Sequence, residues 1–439
     1  MQQVNLKWVN LKKAGSSEGS NNSGAFIRMN GHMDDHGSQI DSQIGDQCHV
    51  SSHVPSQRRT VILISGHVLT SPRRAGFHWL AEALWEQDWN VIFMTTGLSH
   101  LSRMKGHIDR LALLRTTPLN QMVWHQEHFA SFAWYTPWHP VKFKSNWMNA
   151  LTEPFVKHYS RFSLYAMDAY VKQADLIIFE STSGLILFDR IRQLNPKATF
   201  VYRVSDNLRL INSHPLLLEV EQRIAPKFDL ISLPSEHLRQ LFPPMDSVAV
   251  HPQGIKHQLF DQTSRNPYST DGTIHAVSVG TMLFDRKFFI YASQAFPKIH
   301  FHIIGGIEPF LDVSNVTFYG EIPFEKTIPY VQWADLGLAI YQPTRCAAAY
   351  LSQSSNKMIQ YTYCQLPIVA PHFACENRSH AFAYHPDRPD TISSAIQSAL
   401  AFDRGLISIQ DIPSWSQLGT AIGGVHNDRT SSAMFCTHP

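Results

Sequence analysis

Short apolar runs that alternate with helical patterns are the feature that most limits how this chain can fold. The runs RTVILIS, WNVIFMT and ADLIIFES are rich in β-branched residues, and the first is followed by FHWLAEALWEQ, which has helical periodicity. Strands that alternate with helices favour a parallel sheet covered by helices on both faces. The sequence therefore predicts an α/β fold.

The alternation occurs twice along the chain. A second set begins with GTIHAVSVGT and continues through KIHFHIIGG, VTFYGEI, ADLGLAIYQ and LPIVAP. A chain of 439 residues also exceeds the length at which a single hydrophobic core keeps growing. We predict two Rossmann-like, doubly wound domains that face each other across a cleft, one at residues 58–255 and the other at 256–425.

The two ends of the chain differ in composition from the middle. Residues 1–57 are rich in Ser, Gly, Asn, Gln and His, so we expect a disordered leader there, and a flexible tail at 426–439. We find no basic patch followed by an apolar stretch at the amino terminus, and no run of the ~20 apolar residues that span a bilayer. We therefore expect the protein to meet a membrane only from its surface.

Charge and cysteine usage exclude several classes of function. A net charge of +2 is too small for the basic field of a nucleic-acid-binding protein, so no nucleic-acid partner is expected. The five cysteines form no CxxC pair, which favours a reducing compartment, the cytoplasm. The 24 histidines are scattered and no HExxH pair lies on a predicted helix, so we predict no metal site.

The stretch from Thr116 to Leu164 departs from the alternation and is rich in tryptophan and basic residues. Two interpretations are open. Trp and Lys together suit a surface that lies at the headgroup depth of a membrane. Alternatively, the rings pack between helices in the core.

Several longer segments resemble a known family. They are SGHVLTSPRRAGFHWL, LSHLSRMKG, FVYRVSDNL, HAVSVGTMLFDRKFF, IHFHIIG and YLSQSSNKMIQYTYCQLPIVAP, and they are similar to segments of the GumK glucuronosyltransferases of xanthan-type exopolysaccharide assembly. The resemblance runs from about Val61 to about Ala401. It implies an inverting GT-B glycosyltransferase that uses neither a metal nor another cofactor.

The resemblance also implies substrates and a location. The donor would be UDP-glucuronate, bound by the second domain. The acceptor would be a mannose-ended oligosaccharide linked to a polyprenyl diphosphate, bound by the first domain. The enzyme would act in the cytoplasm, peripherally associated with the inner face of the cytoplasmic membrane.

Asp206 is the candidate catalytic base. It follows the predicted strand TFVYRV, at the strand end where α/β sheets usually bind ligands, and it matches the base of the family. Inversion needs one carboxylate that takes the proton from the attacking hydroxyl. The alternative is that Asp206 caps the next helix, as residues in Ser-Asp-Asn sequences commonly do.

The candidate donor residues lie in the second domain. A helix start supplies free N–H groups for a diphosphate, and Lys357 adds a full charge to the start of KMIQYTYCQ. Asn356 stands where the family has Met, and Glu321 could also be a solvated loop carboxylate. The basic partner of the glucuronate carboxylate stays open between Lys357, Arg345 and Arg286. The predicted donor residues are Gly280, Thr281, Met282, Glu321, Tyr341, Ser355, Asn356, Lys357 and Gln360, and Asp285 also matches the family.

Two loops of the first domain are candidates for binding an anionic acceptor headgroup through charge-assisted hydrogen bonds. Arginine at a helix start opposes the helix dipole, which favours a ligand over a solvated helix end. The candidates are His67, Arg73 and Arg74 in SGHVLTSPRR, and Arg103 and Lys105 in LSRMKG.

Two other functions are compatible with these patterns. One is a different enzyme on the same architecture, either a nucleotide-sugar epimerase or a transferase that uses another UDP-sugar. The other is a nucleotide-sugar-binding scaffold without activity. Asp206 argues against the scaffold, because a protein that only binds the nucleotide sugar needs no base.

Overall fold

The computed structural model describes residues 58–105, 115–211, 213–342, 349–376 and 378–435, without the side chains of 103–105 and 426–435. Contacts between Cα atoms place both sheets in one compact unit that begins at Gln57. The predicted division into an acceptor-binding and a nucleotide-binding domain stays a prediction.

Eight strands form the first sheet: β1 (Thr60–Ser65), β2 (Asn90–Ser99), β3 (Met122–Gln126), β4 (Phe129–Thr136), β5 (Leu176–Glu180), β6 (Thr199–Arg203), β7 (Leu230–Leu233) and β8 (Val248–Val250). Their order is β3-β4-β2-β1-β5-β6-β7-β8, and every neighbouring pair is parallel except β3 and β4. The central strands β1, β5 and β6 are almost wholly buried, as expected when helices cover both faces of a parallel sheet.

Six parallel strands form the second sheet: β9 (Ile274–Val279), β10 (Ile299–Ile304), β11 (Val316–Gly320), β12 (Leu336–Leu338), β13 (Ile368–Pro371) and β14 (Ala381–Tyr384). Their order is β11-β10-β9-β12-β13-β14, the 3-2-1-4-5-6 order of a Rossmann sheet. The predicted doubly wound α/β fold is confirmed.

Thirteen helices surround the two sheets in the described ranges. Those before the second sheet are α1 (Gly76–Glu86), α2 (His100–Lys105), α3 (Asn146–His158), α4 (Met167–Gln173), α5 (Phe188–Leu194), α6 (Pro215–Ile224) and α7 (His257–Phe260). The others are α8 (Arg286–Ala295), α9 (Phe324–Gln332), α10 (Leu351–Ser354), α11 (Asn356–Tyr363), α12 (Pro389–Leu400) and α13 (Trp415–Phe435). In the described part of the chain, no helix combines the length and apolarity needed to cross a bilayer.

The stretch 116–164 belongs to the first sheet in part. Its strand β4 pairs in parallel with β2, and β3 folds back on β4 as an antiparallel edge strand. The tryptophans divide between the two interpretations. Trp134 is fully buried, whereas Trp124 and Trp147 have relative exposures of 54% and 68%.

The last helix returns to the first half of the chain. Trp415, Leu418 and Ile422 of α13 are buried in the same cluster as Ala83 and Leu84 of α1. Residues 415–425, which the sequence assigns to the second domain, therefore pack on the first sheet, and the helix continues to Phe435, into the predicted tail. Gly, Ser and Thr in GGVHNDRTSS have low helix propensity, which hid the helix in the sequence.

The chain crosses between the sheets at two segments that are bonded to each other. Ile255 N–H donates to the carbonyl of Pro413 at 2.9 Å, and Trp415 N–H donates to the carbonyl of Ile255 at 3.3 Å. Buried Arg203 of β6 anchors the first crossing through the carbonyl of His251, at 2.7 Å, and Oε1 of Gln253, at 3.0 Å. The spacing of the cleft depends on this pair of segments.

Gly254→Ala tests the close approach of the crossings. An added Cβ would lie 2.6 Å from Trp415 N, and backbone at that distance has to move. We expect a loss of about 1–3 kcal/mol in the free energy of unfolding, measured by denaturant titration. The control is Gly424→Ala in α13, where a Cβ meets nothing within 4 Å. Equal stability of the Gly254 variant and the wild type would contradict the close contact.

Candidate active site

A cleft of about 310 Å³ lies where the carboxyl ends of strands in the two sheets face each other. The end of β5 and the loops after β1 and β6 line one side, and the loops after β9 and β10 with the start of α11 line the other. Open α/β sheets bind ligands at this edge, where the strand order reverses. The predicted site residues that line the cleft are His67, Arg73, Arg74, Asp206, Gly280, Thr281, Met282, Glu321, Tyr341, Ser355, Asn356, Lys357 and Gln360.

Five other predicted residues stand apart from this set. The side chains of Arg103 and Lys105, and the whole of Arg345, lie outside the described parts of the chain. Asp285 caps α8, where its Oδ1 accepts from Lys287 N at 3.0 Å. Arg286 packs its guanidinium 5.1 Å from the ring centroid of Phe310 and does not line the cleft. Of the three cations considered for the donor carboxylate, Lys357 is the one found in the described cleft.

Asp206 lies on the loop after β6, and two hydrogen bonds fix it. Its backbone N–H donates to Ser181 Oγ at 3.0 Å, and Tyr350 Oη donates to its Oδ1 at 3.1 Å. Burial raises the pKa of Asp206 to about 7, the Tyr350 hydrogen bond lowers that pKa, and the charge of Glu180 raises it. A carboxylate with a pKa near neutrality is well suited to take and hold a proton.

Sequence reasoning missed Glu180 and Tyr350. Glu180 ends β5 with a relative exposure of 3%, and its Oε1 lies 3.6 Å from His67 Nε2. The available signal for Glu180 was an acidic residue directly after a buried strand, at the carboxyl edge of the sheet. No sequence signal marks Tyr350, because its contact with Asp206 joins residues 144 positions apart.

Lys357 is a buried cation without a hydrogen-bond partner in the described part of the chain. Its Nζ lies 4.9 Å from the ring centroid of Tyr341, and burial lowers its pKa to about 8. The neighbouring Asn356 Oδ1 is also buried without a partner there. Buried polar groups are nearly always satisfied, so this pair indicates a ligand position, and the cation favours an anion.

Local structure explains why Lys357 faces the cleft. Ser355 is the N-cap of α11, and its Oγ accepts from Met358 N at 3.4 Å and lies 2.5 Å from Tyr341 Oη. The hydroxyl of buried Tyr341 thereby helps to fix the N-cap of the helix. Gly280 has a φ of +93°, which residues with a side chain rarely adopt. A Cβ there would meet Lys357 Cε at 3.9 Å. The first turn of the second sheet therefore brings bare backbone close to the lysine.

The two arginines of the loop before α1 are paired with carboxylates. Arg73 donates two hydrogen bonds to Glu321, from Nε at 3.0 Å and from Nη2 at 2.6 Å, and so joins the two sides of the cleft. Arg74 pairs with Glu82 at 2.9 Å and lies over the ring of Trp79. A bidentate ion pair holds Glu321, and its part in donor binding stays a prediction.

Comparison with known proteins places the chain in a family. Residues 63–234 match the family model described as glucuronosyltransferase GumK, N-terminal domain. The chain is 33% identical over 351 residues to the UDP-glucuronate:glycolipid 2-β-glucuronosyltransferase of Xanthomonas campestris pv. campestris, a match that covers 79% of this chain and 86% of that protein. The chain belongs to the GumK glucuronosyltransferase family. It is a glycosyltransferase, and the predicted resemblance is confirmed.

Solved structures with the same fold agree with the GT-B architecture. The α,α-trehalose 6-phosphate synthase of Burkholderia multivorans superposes with a TM-score of 0.53 at 13% identity, covering 87% of this chain and 99% of that one. A UDP-forming synthase from Burkholderia xenovorans gives a TM-score of 0.50 at 13% identity, covering 85% and 98%. At such low identity the likeness concerns the fold of this GumK-family chain alone.

Lys357→Met tests the anion position. We expect UDP affinity to fall about 10- to 100-fold, because a charge-assisted contact contributes roughly 1.5–3 kcal/mol. The free energy of unfolding should stay the same or rise, because the substitution removes a buried charge that has no partner in the described structure. Calorimetric titration with UDP and thermal unfolding without it measure the two effects.

The matched control is Lys326→Met on the exposed surface of α9, which should change neither quantity. Unchanged UDP affinity in the Lys357 variant would show that UDP does not bind at this end of the cleft.

Proposed function

We propose that the chain is an inverting transferase that moves glucuronic acid from UDP-glucuronate to a lipid-linked oligosaccharide. One observation carries the proposal: Asp206, a carboxylate with a pKa near neutrality, lines the cleft opposite Lys357, a cation without a hydrogen-bond partner among the described residues. The relative from Xanthomonas campestris pv. campestris, which is named for UDP-glucuronate and a glycolipid, supports the choice of donor and acceptor class.

The proposed reaction is a single displacement. Asp206 takes the proton of the acceptor hydroxyl while the hydroxyl oxygen forms a bond to the anomeric carbon of the donor. The bond from that carbon to the UDP oxygen breaks on the opposite face, so the configuration inverts. Tyr350 donates to Oδ1 of Asp206, and Oδ2 takes no hydrogen bond from a described residue, so it is available to the hydroxyl.

The leaving group would be held by the second half of the protein. Lys357 and the free N–H groups at the start of α11 offer positive charge to the departing diphosphate, which also bears the developing negative charge. These groups supply what a divalent cation supplies in other transferases, so we propose that no metal is required. Gly280, Thr281 and Met282 lie on the same side and would contact the nucleotide.

We propose that the acceptor is a mannose-ended oligosaccharide on a polyprenyl diphosphate, and that it enters past His67, Arg73 and Arg74. Arg73 presents a planar guanidinium at the cleft, and its side chain is half exposed in the ion pair with Glu321. Exposed ion pairs of this kind contribute little to stability, so an acceptor phosphate can replace Glu321 at small cost.

A surface of α3 suits a membrane that carries such an acceptor. Trp147, Leu151 and Phe155 recur every four residues, which puts them on one face of the helix, and their relative exposures are 68%, 65% and 54%. The exposed side chains of Lys142, Lys144 and Arg161 flank this stripe in the sequence. Aromatic rings beside cations fit an anionic lipid surface. We propose peripheral binding at the inner face of the cytoplasmic membrane, where a UDP-sugar is at hand.

Donor, base and metal requirement are tested in one assay. Purified protein is incubated in chelator with detergent-solubilised, mannose-ended lipid-linked oligosaccharide and a panel of UDP-sugars. We expect transfer of glucuronate alone, and a loss of at least about 100-fold in Asp206→Asn, because general bases contribute 10²–10⁴-fold. Transfer of a different sugar would correct the donor, and UDP binding without any transfer would favour the scaffold.

The stripe on α3 is tested by flotation with liposomes that contain anionic lipid. Replacing Trp147, Leu151 and Phe155 with Ser should weaken binding at least about tenfold, because each side chain loses roughly 1 kcal/mol or more of apolar transfer. Leu406→Ser is the control, since Leu406 is 69% exposed and lies outside α3. Equal flotation of the stripe variant and the wild type would exclude α3 as the membrane contact.

A further inference from the structure

Glu180 is a buried carboxylate to which the reaction as written assigns no task. It ends β5, which lies between β1 and β6 near the centre of the first sheet. Its relative exposure is 3%, although it also lines the cleft. A carboxylate in this position is expensive to bury unless hydrogen bonds compensate it.

Three donors compensate Glu180, and they come from the strands on either side. Ser65 Oγ donates to Oε2 at 2.5 Å and Gly66 N–H donates to the same oxygen at 3.3 Å, both from the end of β1. Ser205 Oγ, from the loop after β6, donates to Oε1 at 2.9 Å. One carboxylate therefore ties together the ends of three adjacent strands. Since both of its oxygens are occupied, it is not placed to act as a second base.

The next residue completes the support of the loop that carries Asp206. Ser181 Oγ accepts the backbone N–H of Ser205 at 3.1 Å and the backbone N–H of Asp206 at 3.0 Å. Glu180 thus holds the side chain, and Ser181 the backbone, of the segment that ends at Asp206.

We propose that Glu180 is a positioning residue for Asp206: it fixes the loop that carries the base and places a second negative charge beside it. The inference rests on the proposed function, in which Asp206 takes the acceptor proton.

The groups that face Asp206 act on it in opposite directions. Burial raises its pKa, the hydrogen bond from Tyr350 lowers it, and the charge of Glu180 raises it. The remaining charged or titratable groups of the described cleft are His67, Arg73, Arg74, Glu321, Tyr341 and Lys357. Four of these are paired with other groups: His67 lies near Glu180, Arg73 pairs with Glu321, and Arg74 pairs with Glu82. Substitutions of Glu180 and Tyr350 are therefore the ones expected to shift the pKa of Asp206.

The first experiment measures kcat against pH for the wild type, Glu180→Gln, Tyr350→Phe and Ser205→Ala. We expect the acid limb of Glu180→Gln to move to lower pH by about half a pH unit or more, and that of Tyr350→Phe to move to higher pH. Ser205→Ala keeps the charge of Glu180, so its kcat should fall with an unmoved acid limb. A lower kcat at every pH with the wild-type acid limb in Glu180→Gln would reduce Glu180 to a structural residue.

A conservative variant covers the case in which Glu180→Gln does not fold. Glu180→Asp keeps the charge and shortens the reach to Ser205, so we expect kcat to fall about 10- to 100-fold with the acid limb in place. Wild-type kcat in this variant would overturn the positioning role.

A second measurement does not depend on turnover. Protein labelled with an NMR isotope at the aspartate side-chain carboxyl is titrated with pH, and Asp206→Asn identifies the Asp206 signal. We expect the midpoint to be lowest in Glu180→Gln and highest in Tyr350→Phe, with the wild type between them. An unmoved midpoint in Glu180→Gln would overturn the inference. If the midpoints follow this order but no UDP-sugar is transferred, the proposed function fails and the placement of Glu180 stands.

Discussion

The backbone contact between the two chain crossings is the constraint on which the rest of the structure depends. Ile255 pairs with the segment that ends at Trp415, and Gly254 lies so close to Trp415 N that a Cβ there would be 2.6 Å away. Arg203 joins this contact to β6, three residues before Asp206. One buried cluster holds residues of both sheets, and the crossings are among the contacts that set which strand ends face each other.

That arrangement creates a cleft whose charges are incompletely compensated. Lys357 is buried without a described hydrogen-bond partner, and Asp206 is held where burial disfavours its ionised form. Both conditions lower the stability of the folded chain at neutral pH, because a desolvated charge without compensation is costly. The same conditions prepare the two groups for an anion and for a proton. The site lowers the stability of the fold, and the buried apolar strands of the two sheets offset this loss.

Hydrogen bonds also join the two sides of the cleft directly. Tyr350, from the second half, donates to Asp206 of the first half, and Arg73 of the first half binds Glu321 of the second. The hydrogen bond to Asp206 therefore needs residues from both halves of the chain.

Much of the fold and several residues of the site could be predicted from the sequence, because they depend on local sequence patterns. Runs such as RTVILIS and KIHFHIIGG predict buried strands because they are short and rich in Ile, Val, Leu and Phe. Asp206 and Lys357 were found because they directly follow a strand and open a helix, which are positions visible in one dimension. The family blocks gave those residues their expected roles. The edge hairpin of β3 and β4 was missed, because its aromatic residues carry no clear alternation.

The sequence by itself determined the α/β class, the two sets of strands and the residues at the strand ends, since all of these depend on local patterns of apolar and polar side chains. The tertiary structure alone decided that α13 returns to α1, that Glu180 holds the loop of Asp206, and that Tyr350 reaches Asp206 across the cleft. These contacts join residues far apart in the chain, and their partners depend on how the strands are ordered and where the chain crosses. No single segment of the sequence determines the order of the strands or the positions of the crossings.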